Sequence, residues 1–142
     1  MLFRSLAGVG GFINITQSAQ RVVFMGAFMA DGLEVACRDG RLAILSEGRT
    51  PKLVPQVGHL SFNGPYVAGL GRRVRYISER AVFDLRRHGD GDEGASLVLT
   101  EIAPGIDLHR DVLAHCPAGV QVSPGLRTMD ARIFENRPMR RP

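Results

Sequence analysis

The pattern with the clearest chemical potential lies near the start: Gly8-Val9-Gly10-Gly11-Phe12, followed at once by Ile13-Asn14-Ile15-Thr16-Gln17. Glycines let a backbone approach a ligand closely, and the free amides of a helix N-terminus present partial positive charge. Such a loop can hold a phosphate, a carboxylate or the oxyanion of a thioester intermediate. It can equally be a chain start that uses glycine only to turn, and spacing alone leaves both readings open. It is not a dinucleotide fingerprint, because Ile13 stands where the third glycine belongs and no strand precedes it.

Other candidate groups are sparser. Glu79, Asp84 and Glu101 sit in or beside strand-like runs, where ion pairing across a sheet is the plainer role for a carboxylate. Cys37 and Cys116 are far apart and form no C-x-x-C, and the four histidines lack ligand spacing, so neither a disulfide framework nor a metal site is expected. His109 and His115, six residues apart, point to different faces of one helix. There is no G-x-S-x-G, no P-loop and no nucleophile next to a histidine, so the residues offer a ligand-binding loop without a catalytic engine.

The elements that must position this loop follow from pattern. Asn14 reads as an N-cap with Gln17 closing a capping box, which predicts a short helix to Gln20. Arg21–Phe28 is a continuous apolar run and predicts one buried strand. Asp39-Gly40 between two alternating runs predicts a hairpin, since both residues tolerate positive φ. Residues 59–62 predict a short strand, Gly64-Pro65 a turn or helix start, and 74–77, 81–85 and 96–102 three further strands. The glycine-rich charged stretch from Arg86 to Ala95 predicts an exposed, mobile loop. Asp107 predicts a cap for a helix through Ala114, and 119–123 a last short strand.

The chain of 142 residues is about one domain long, and with 44% hydrophobic and 23% charged residues it has the composition of a packed protein, not of a disordered chain. No apolar stretch approaches a membrane span and the start lacks a signal-peptide pattern, so a cytoplasmic location and no membrane partner are expected. Of the net charge of +4, +3 falls in residues 127–142, where five arginines face Asp130 and Glu135. A near-neutral body with a basic end is not a phosphate-binding face, so nucleic acid is not expected as a partner. The expected division is a body over 1–126 and a basic, largely disordered tail over 127–142.

Several blocks together resemble the C-terminal part of acyl-CoA:carboxylate CoA-transferases of the acetate, propionate and acetoacetyl-CoA type. They are GVGGFINITQ (8–17), RVVF (21–24), GLEV (32–35), QVGHLSFNG (56–64), SERAVFDL (78–85), LVLTEIAPGIDL (97–108) and MDARIF (129–134), in this order. The resemblance spans about residues 8–134. It implies an α/β fold: a mixed sheet with short helices, forming an incomplete C-terminal portion of a three-layer α/β/α domain. It also implies transfer of coenzyme A from an acyl-CoA to a free acid through a glutamyl-CoA thioester, with CoA as substrate and no covalently bound cofactor.

Carried over residue by residue, the resemblance makes Gly8, Gly10, Gly11 and Phe12 the CoA-binding candidates. Gly26–Met29, at a strand's carboxyl end, are a secondary one. SERAVFDL and LVLTEIAPGIDL are assigned to core and turn packing. The chain also departs from the family. The glutamate of the family's Glu-Asn-Gly-type motif belongs upstream of GVGGF, and none of the seven residues before Gly8 is acidic; Glu135-Asn136-Arg137 echoes the motif but follows the MDARIF block. The Arg86–Ala95 loop is longer than the family's, and Met25 and Ala27 replace its usual residues. The expectation is a fragment or subunit without its own nucleophile, completed by the missing CoA-transferase portion or by a homo-oligomer. Two alternatives are a non-catalytic module that docks on an intact CoA-transferase or self-associates, and a small CoA- or nucleotide-binding protein using only the glycine loop.

Overall fold

A computed structural model describes residues 10–58, 60–88 and 94–138. Its elements run α1 (Gly10–Ser18), β1 (Arg21–Met25), β2 (Met29–Ala30), β3 (Glu34–Arg38), β4 (Arg41–Ser46), β5 (Thr50–Pro51), α2 (Gly64–Gly69), β6 (Arg73–Ile77), β7 (Ala81–Arg87), β8 (Ala95–Ile102) and β9 (Gln121–Thr128). A wide π-type turn over Leu108–Val112, a 3-10 turn over Leu113–His115 and another over Ala131–Phe134 complete it.

The main sheet has the order β1-β6-β7-β8-β9. Its outer pairs, β1–β6 and β8–β9, are parallel, and β6, β7 and β8 form an antiparallel meander. Register partners share a face, so Val22 and Phe24 align with Val74 and Tyr76, and these with Leu85 and Phe83. Helices α1 and α2 both pack on that face: Phe12 meets Phe24 with ring centroids 6.1 Å apart, and Gly64 sits against Leu85. The opposite face carries cross-strand ion pairs, Arg75 with Asp84 at 2.7 Å and Arg127 with Glu101 at 2.8 Å. The mixed α/β sheet with short helices is as expected, and among the described residues α1 and α2 supply a helical layer on one of its faces.

One buried cluster joins the strand ends to the small sheets: Phe28, Leu42, Phe83, Leu99, Val112, Met129 and Phe134 are among its members. The β3–β4 hairpin forms as the sequence predicts, with Asp39 at φ 50° and Gly40 at φ 72°. The turn at Pro104-Gly105 docks on β4. Leu42 N donates to Pro104 O at 2.7 Å, and Gly105 has φ 94° with a Cβ position only 2.5 Å from Leu42 O. Glycine is therefore required there twice over, by conformation and by contact.

Four expectations need correction. The first helix begins at Gly10, not after Asn14, which lies inside it. Packing of Phe12 on Phe24 holds the upstream turn, and Thr16 satisfies its hydroxyl on Phe12 O at 2.8 Å. The run Arg21–Phe28 is not one strand: β1 ends at Met25, and Phe28 turns into the core to stack on Phe83. Residues 60–62 form no strand, His59 lies outside the described residues, and Asn63 caps α2 by accepting from Tyr66 N at 3.1 Å. The last strand runs over 121–128, past Pro124, which an edge strand tolerates because its outer amide has no ladder partner to lose.

The division at 126/127 thus falls inside β9, and the start of the expected disordered tail is anchored by Met129 and Phe134, which are 7% and 5% exposed. Of the Arg86–Ala95 loop, Arg86 and Arg87 belong to β7 and Ala95 to β8; residues 89–93 lie outside the described residues. No described helix is long and apolar enough to cross a membrane.

Candidate functional site

The direction of α1 decides where the glycine loop points. Near its C-terminal end, Gln17 O accepts from the Arg72 guanidinium, just before β6 begins. Its first turn places Phe12 on Phe24, near the carboxyl end of β1. Helix α1 therefore runs antiparallel to β1, and its free N-terminal amides lie at the end of the sheet where β1 and the parallel β6 finish.

A cleft of about 420 Å³ opens at that same end. Its walls are largely apolar, with Phe24, Phe28, Leu53, Tyr76 and Phe83, and its polar groups are Ser78 and Lys52, the only lysine in the chain. Phe24 stacks on Tyr76 at 5.1 Å and meets Phe62 edge-on at 5.2 Å, which fixes the aromatic wall. Burial pushes the Tyr76 hydroxyl above its ordinary pKa, so it stays neutral. A mostly apolar cleft with few polar groups at strand carboxyl ends is the usual form of a ligand site in an α/β sheet.

The sequence candidates divide. Gly8 lies outside the described residues. Gly10 and Gly11 open α1, and a Cβ at either would meet nothing within 4 Å, so packing among the described residues does not demand glycine there. Phe12 anchors the loop to the cleft's aromatic wall through Phe24. Gly26, Ala27 and Phe28 line the cleft directly, and a Cβ on Gly26 also meets nothing. Met29 is buried in the core.

Behind the cleft lies a group that spacing does not reveal. Arg80 is 0% exposed. Its Nε donates to Glu79 Oε1 at 2.6 Å, Nη1 to Glu47 Oε2 at 2.7 Å and to the Asp111 carbonyl at 3.1 Å, and Nη2 to Glu47 Oε1 at 2.9 Å. Its guanidinium carbon lies 5.0 Å from the centre of the Phe28 ring. The other oxygen of Glu79 accepts from Phe28 N at 2.9 Å, so the pair holds the cleft wall at Phe28 by side chain and backbone alike. Hydrogen bonding to Arg80 holds the Glu47 carboxyl below its usual range, and His115 Nε2 stands 3.7 Å away. Nothing in the sequence marks it: Arg80 lies in the turn between β6 and β7, and of its two carboxylate partners only Glu79 is a neighbour along the chain.

The carboxylates are otherwise engaged. Glu79 uses both oxygens, and Asp84 and Glu101 pair with Arg75 and Arg127, as expected for strand carboxylates. Glu135 pairs with Arg137 after the 3-10 turn whose Ala131 packs on Gly40, and it does not line the cleft. Asp107 caps the π-type turn, accepting from His109 N and Arg110 N. Among the described residues no group of His, Cys, Asp or Glu is arranged to hold a metal ion. The arrangement is an apolar cleft with a cation at its rim, and among the described residues no Asp, Glu, His or Cys lines it.

No family model matches the chain. It is 42% identical to the caffeate CoA-transferase of Acetobacterium woodii over 132 residues, 93% of this chain and 24% of that protein. It is 39% identical to the acetate CoA-transferase YdiF of Escherichia coli K12 over 129 residues, 91% of this chain and 23% of that protein. The crystal structure of the E. coli O157:H7 acyl-CoA transferase YdiF as a thioester complex with CoA superposes with a TM-score of 0.81 at 37% identity, covering 96% of this chain and 25% of that one. The apoenzyme gives 0.82 at 36% identity. The chain thus spans about a quarter of the length of these relatives.

Proposed function

The chain belongs to the CoA-transferase family as a part of its longer polypeptide, and from that premise we propose that it is the C-terminal part and builds one wall of a site that moves CoA between an acyl-CoA and a short-chain carboxylic acid. The observation that carries this reading is the convergence of the α1 N-terminus and the aromatic cleft on one end of the sheet, joined by the Phe12–Phe24 contact.

In this reading the nucleophile is a glutamate outside these 142 residues. Its carboxylate attacks the donor thioester, and collapse of the adduct expels CoA thiolate and leaves an acyl-glutamyl anhydride. The thiolate then attacks the glutamyl carbonyl, releasing the donor acid and forming glutamyl-CoA; the acceptor acid takes the CoA by the reverse sequence. Each attack places negative charge on a carbonyl oxygen, and the free amides at Gly10 and Gly11 are suited to stabilise it. The absence of side chains there lets the thioester approach the backbone. Phe24 and Tyr76 offer an apolar surface to the acyl group, and Lys52 a cation to a carboxylate or phosphate. CoA is a substrate here, and no covalent cofactor is invoked; the cytoplasmic location expected from the sequence accompanies the reading.

The test is to incubate the chain with acetyl-CoA and propionate and to follow amide exchange in parallel. The expected result is no CoA exchange by the chain alone, with CoA slowing exchange at residues 10–12 and 26–28. Turnover by the chain alone, or a CoA thioester found by mass spectrometry on any of its carboxylates, would overturn the reading.

A further inference from the structure

Strands alternate their side chains between faces, so the residues that flank Val22, Val74 and Leu85 lie on the face away from α1 and α2. On that face Arg21 stands opposite Arg73 in the β1–β6 ladder. Val74 pairs with Leu85, so the next step of the same register sets Arg73 against Arg86, and Arg86 pairs in turn with Ser96. Adjacent strands β1, β6 and β7 therefore each put an arginine into one row. With neighbouring strands about 4.8 Å apart, the row is about 10 Å long.

The next row on the same face is balanced. Arg75 faces Asp84, which uses both its oxygens on that arginine, at 2.7 and 3.2 Å. The arginine row is not: Arg21, Arg73 and Arg86 are exposed and form no ion pair among the described residues. Like charges placed directly opposite destabilise a sheet, and a bound anion would reverse that.

The row lines a cavity of about 450 Å³, within the size range of small-molecule sites. Arg72 and Arg75 complete a lining of five arginines, against the single carboxylate of Asp84. A forked guanidinium matches a phosphoryl group with two parallel hydrogen bonds, and a row of them carries more donors than one carboxylate accepts. The near-neutral charge of the first 126 residues conceals this concentration, because only folding brings positions 21, 73 and 86 together. The cavity lies where β1 and β6 begin, at the end of the sheet away from the aromatic cleft.

We infer that the row Arg21–Arg73–Arg86 binds an oligophosphate chain, free or carried by a nucleotide, at a site separate from the cleft. This goes beyond the proposed function, and each can fail without the other.

The probes are inorganic tripolyphosphate and adenosine triphosphate, titrated without metal ion into the full 142-residue chain by calorimetry at low salt. The expected result is saturable binding of tripolyphosphate, one molecule per chain. Equal affinity for both probes assigns the site to a free oligophosphate; affinity at least about tenfold higher for the nucleotide assigns it to a nucleotide's phosphate chain, and either supports the site. Arg73→Gln should weaken binding at least about tenfold, and Arg73→Lys, which keeps the charge but loses the fork, at least about threefold. Arg127→Gln, at the other end of the sheet, should bind as the parent does. Because it relieves a like-charge contact, Arg73→Gln without ligand should melt at or above the parent temperature.

Absence of saturable binding overturns the site, and so does a loss in Arg127→Gln as large as in Arg73→Gln. Melting of Arg73→Gln below the parent also overturns it, since the row would then already be paired. Asp90, Asp92 and Glu93 lie outside the described residues. A chain that binds tripolyphosphate only after these three are replaced by their amides supplies its own counter-charge, which overturns the proposal. Protection by CoA at residues 10–12 should persist in Arg73→Gln. Its loss in that variant alone makes the arginines part of the CoA site and overturns the proposal; its absence in the parent fails the functional reading and leaves this site standing.

Discussion

The far side of the cleft and its near side follow opposite rules. At Phe28, Glu79 and Arg80 the chain closes on itself: a fully buried guanidinium is bound by two carboxylates and a carbonyl, and no buried side-chain polar atom among the described residues is left without a partner. Around α1 and β1 it stays open, with Ile15, Val23 and Met25 at 71%, 53% and 77% exposure and glycines whose missing side chains would touch none of the described residues. The closed side has constraints that its own chain explains. The open side carries exposed apolar residues and glycines that contacts among the described residues do not explain, and it is there that the proposed function puts the ligand.

The strongest way to break the contrast is Arg80→Ala. It leaves Glu47 and Glu79 without their cation and removes the face that covers Phe28, so the expected loss is about 3–5 kcal/mol, the range for breaking a buried ion pair by deleting one partner. Urea unfolding measures it. A loss below about 1 kcal/mol would mean that the network is solvated and that the closed side is not closed. Arg80→Met, which replaces the charge by an apolar side chain, still strands both carboxylates and should rescue only the packing on Phe28.

Acid should act on the same side more gently. The Glu47 carboxyl is held below its ordinary value of 4.5 by Arg80. A group with a lowered folded-state pKa gives stability that is present above its unfolded value and lost as pH falls through the folded one. The melting temperature of the parent should therefore exceed that of Glu47→Gln near pH 7, and the gap should shrink as pH drops below 4.5. Thermal melts across that window check the sign. A gap that widens on acidification would assign the acid response to other groups.

What was legible in the sequence follows the same division. The Asp39-Gly40 hairpin was readable because positive φ is a local demand on two adjacent residues. The roles of Asp84 and Glu101 were readable because a strand carboxylate finds a cross-strand arginine among near neighbours. The family was legible from ordered blocks, not from periodicity. The Arg80 network was not readable, since Glu47 lies 33 positions away and nothing local marks it as a partner. The start of α1 was misread because Asn14 satisfies the rule for a cap while Phe12 on Phe24, a tertiary contact, sets the boundary upstream. The path of β9 past Pro124 depended on its being an edge, which a sequence does not declare.

Gly11→Ala is the smallest perturbation and the one that sharpens the contrast most. For the free chain it should be neutral or stabilising by up to about 1 kcal/mol, because alanine is the better helix former and its methyl group meets none of the described residues within 4 Å. If that glycine serves only the fold, the variant has no cost anywhere. If it exists so that a thioester can reach the backbone amides, the same methyl group occupies the approach path, and CoA should no longer slow amide exchange at residues 10–12. A variant that melts at or above the parent temperature yet loses CoA protection separates the two roles in one protein. A variant that binds CoA as the parent does would return the glycine loop to a purely structural part and leave the cleft at Phe24 and Tyr76 as the remaining candidate for the ligand.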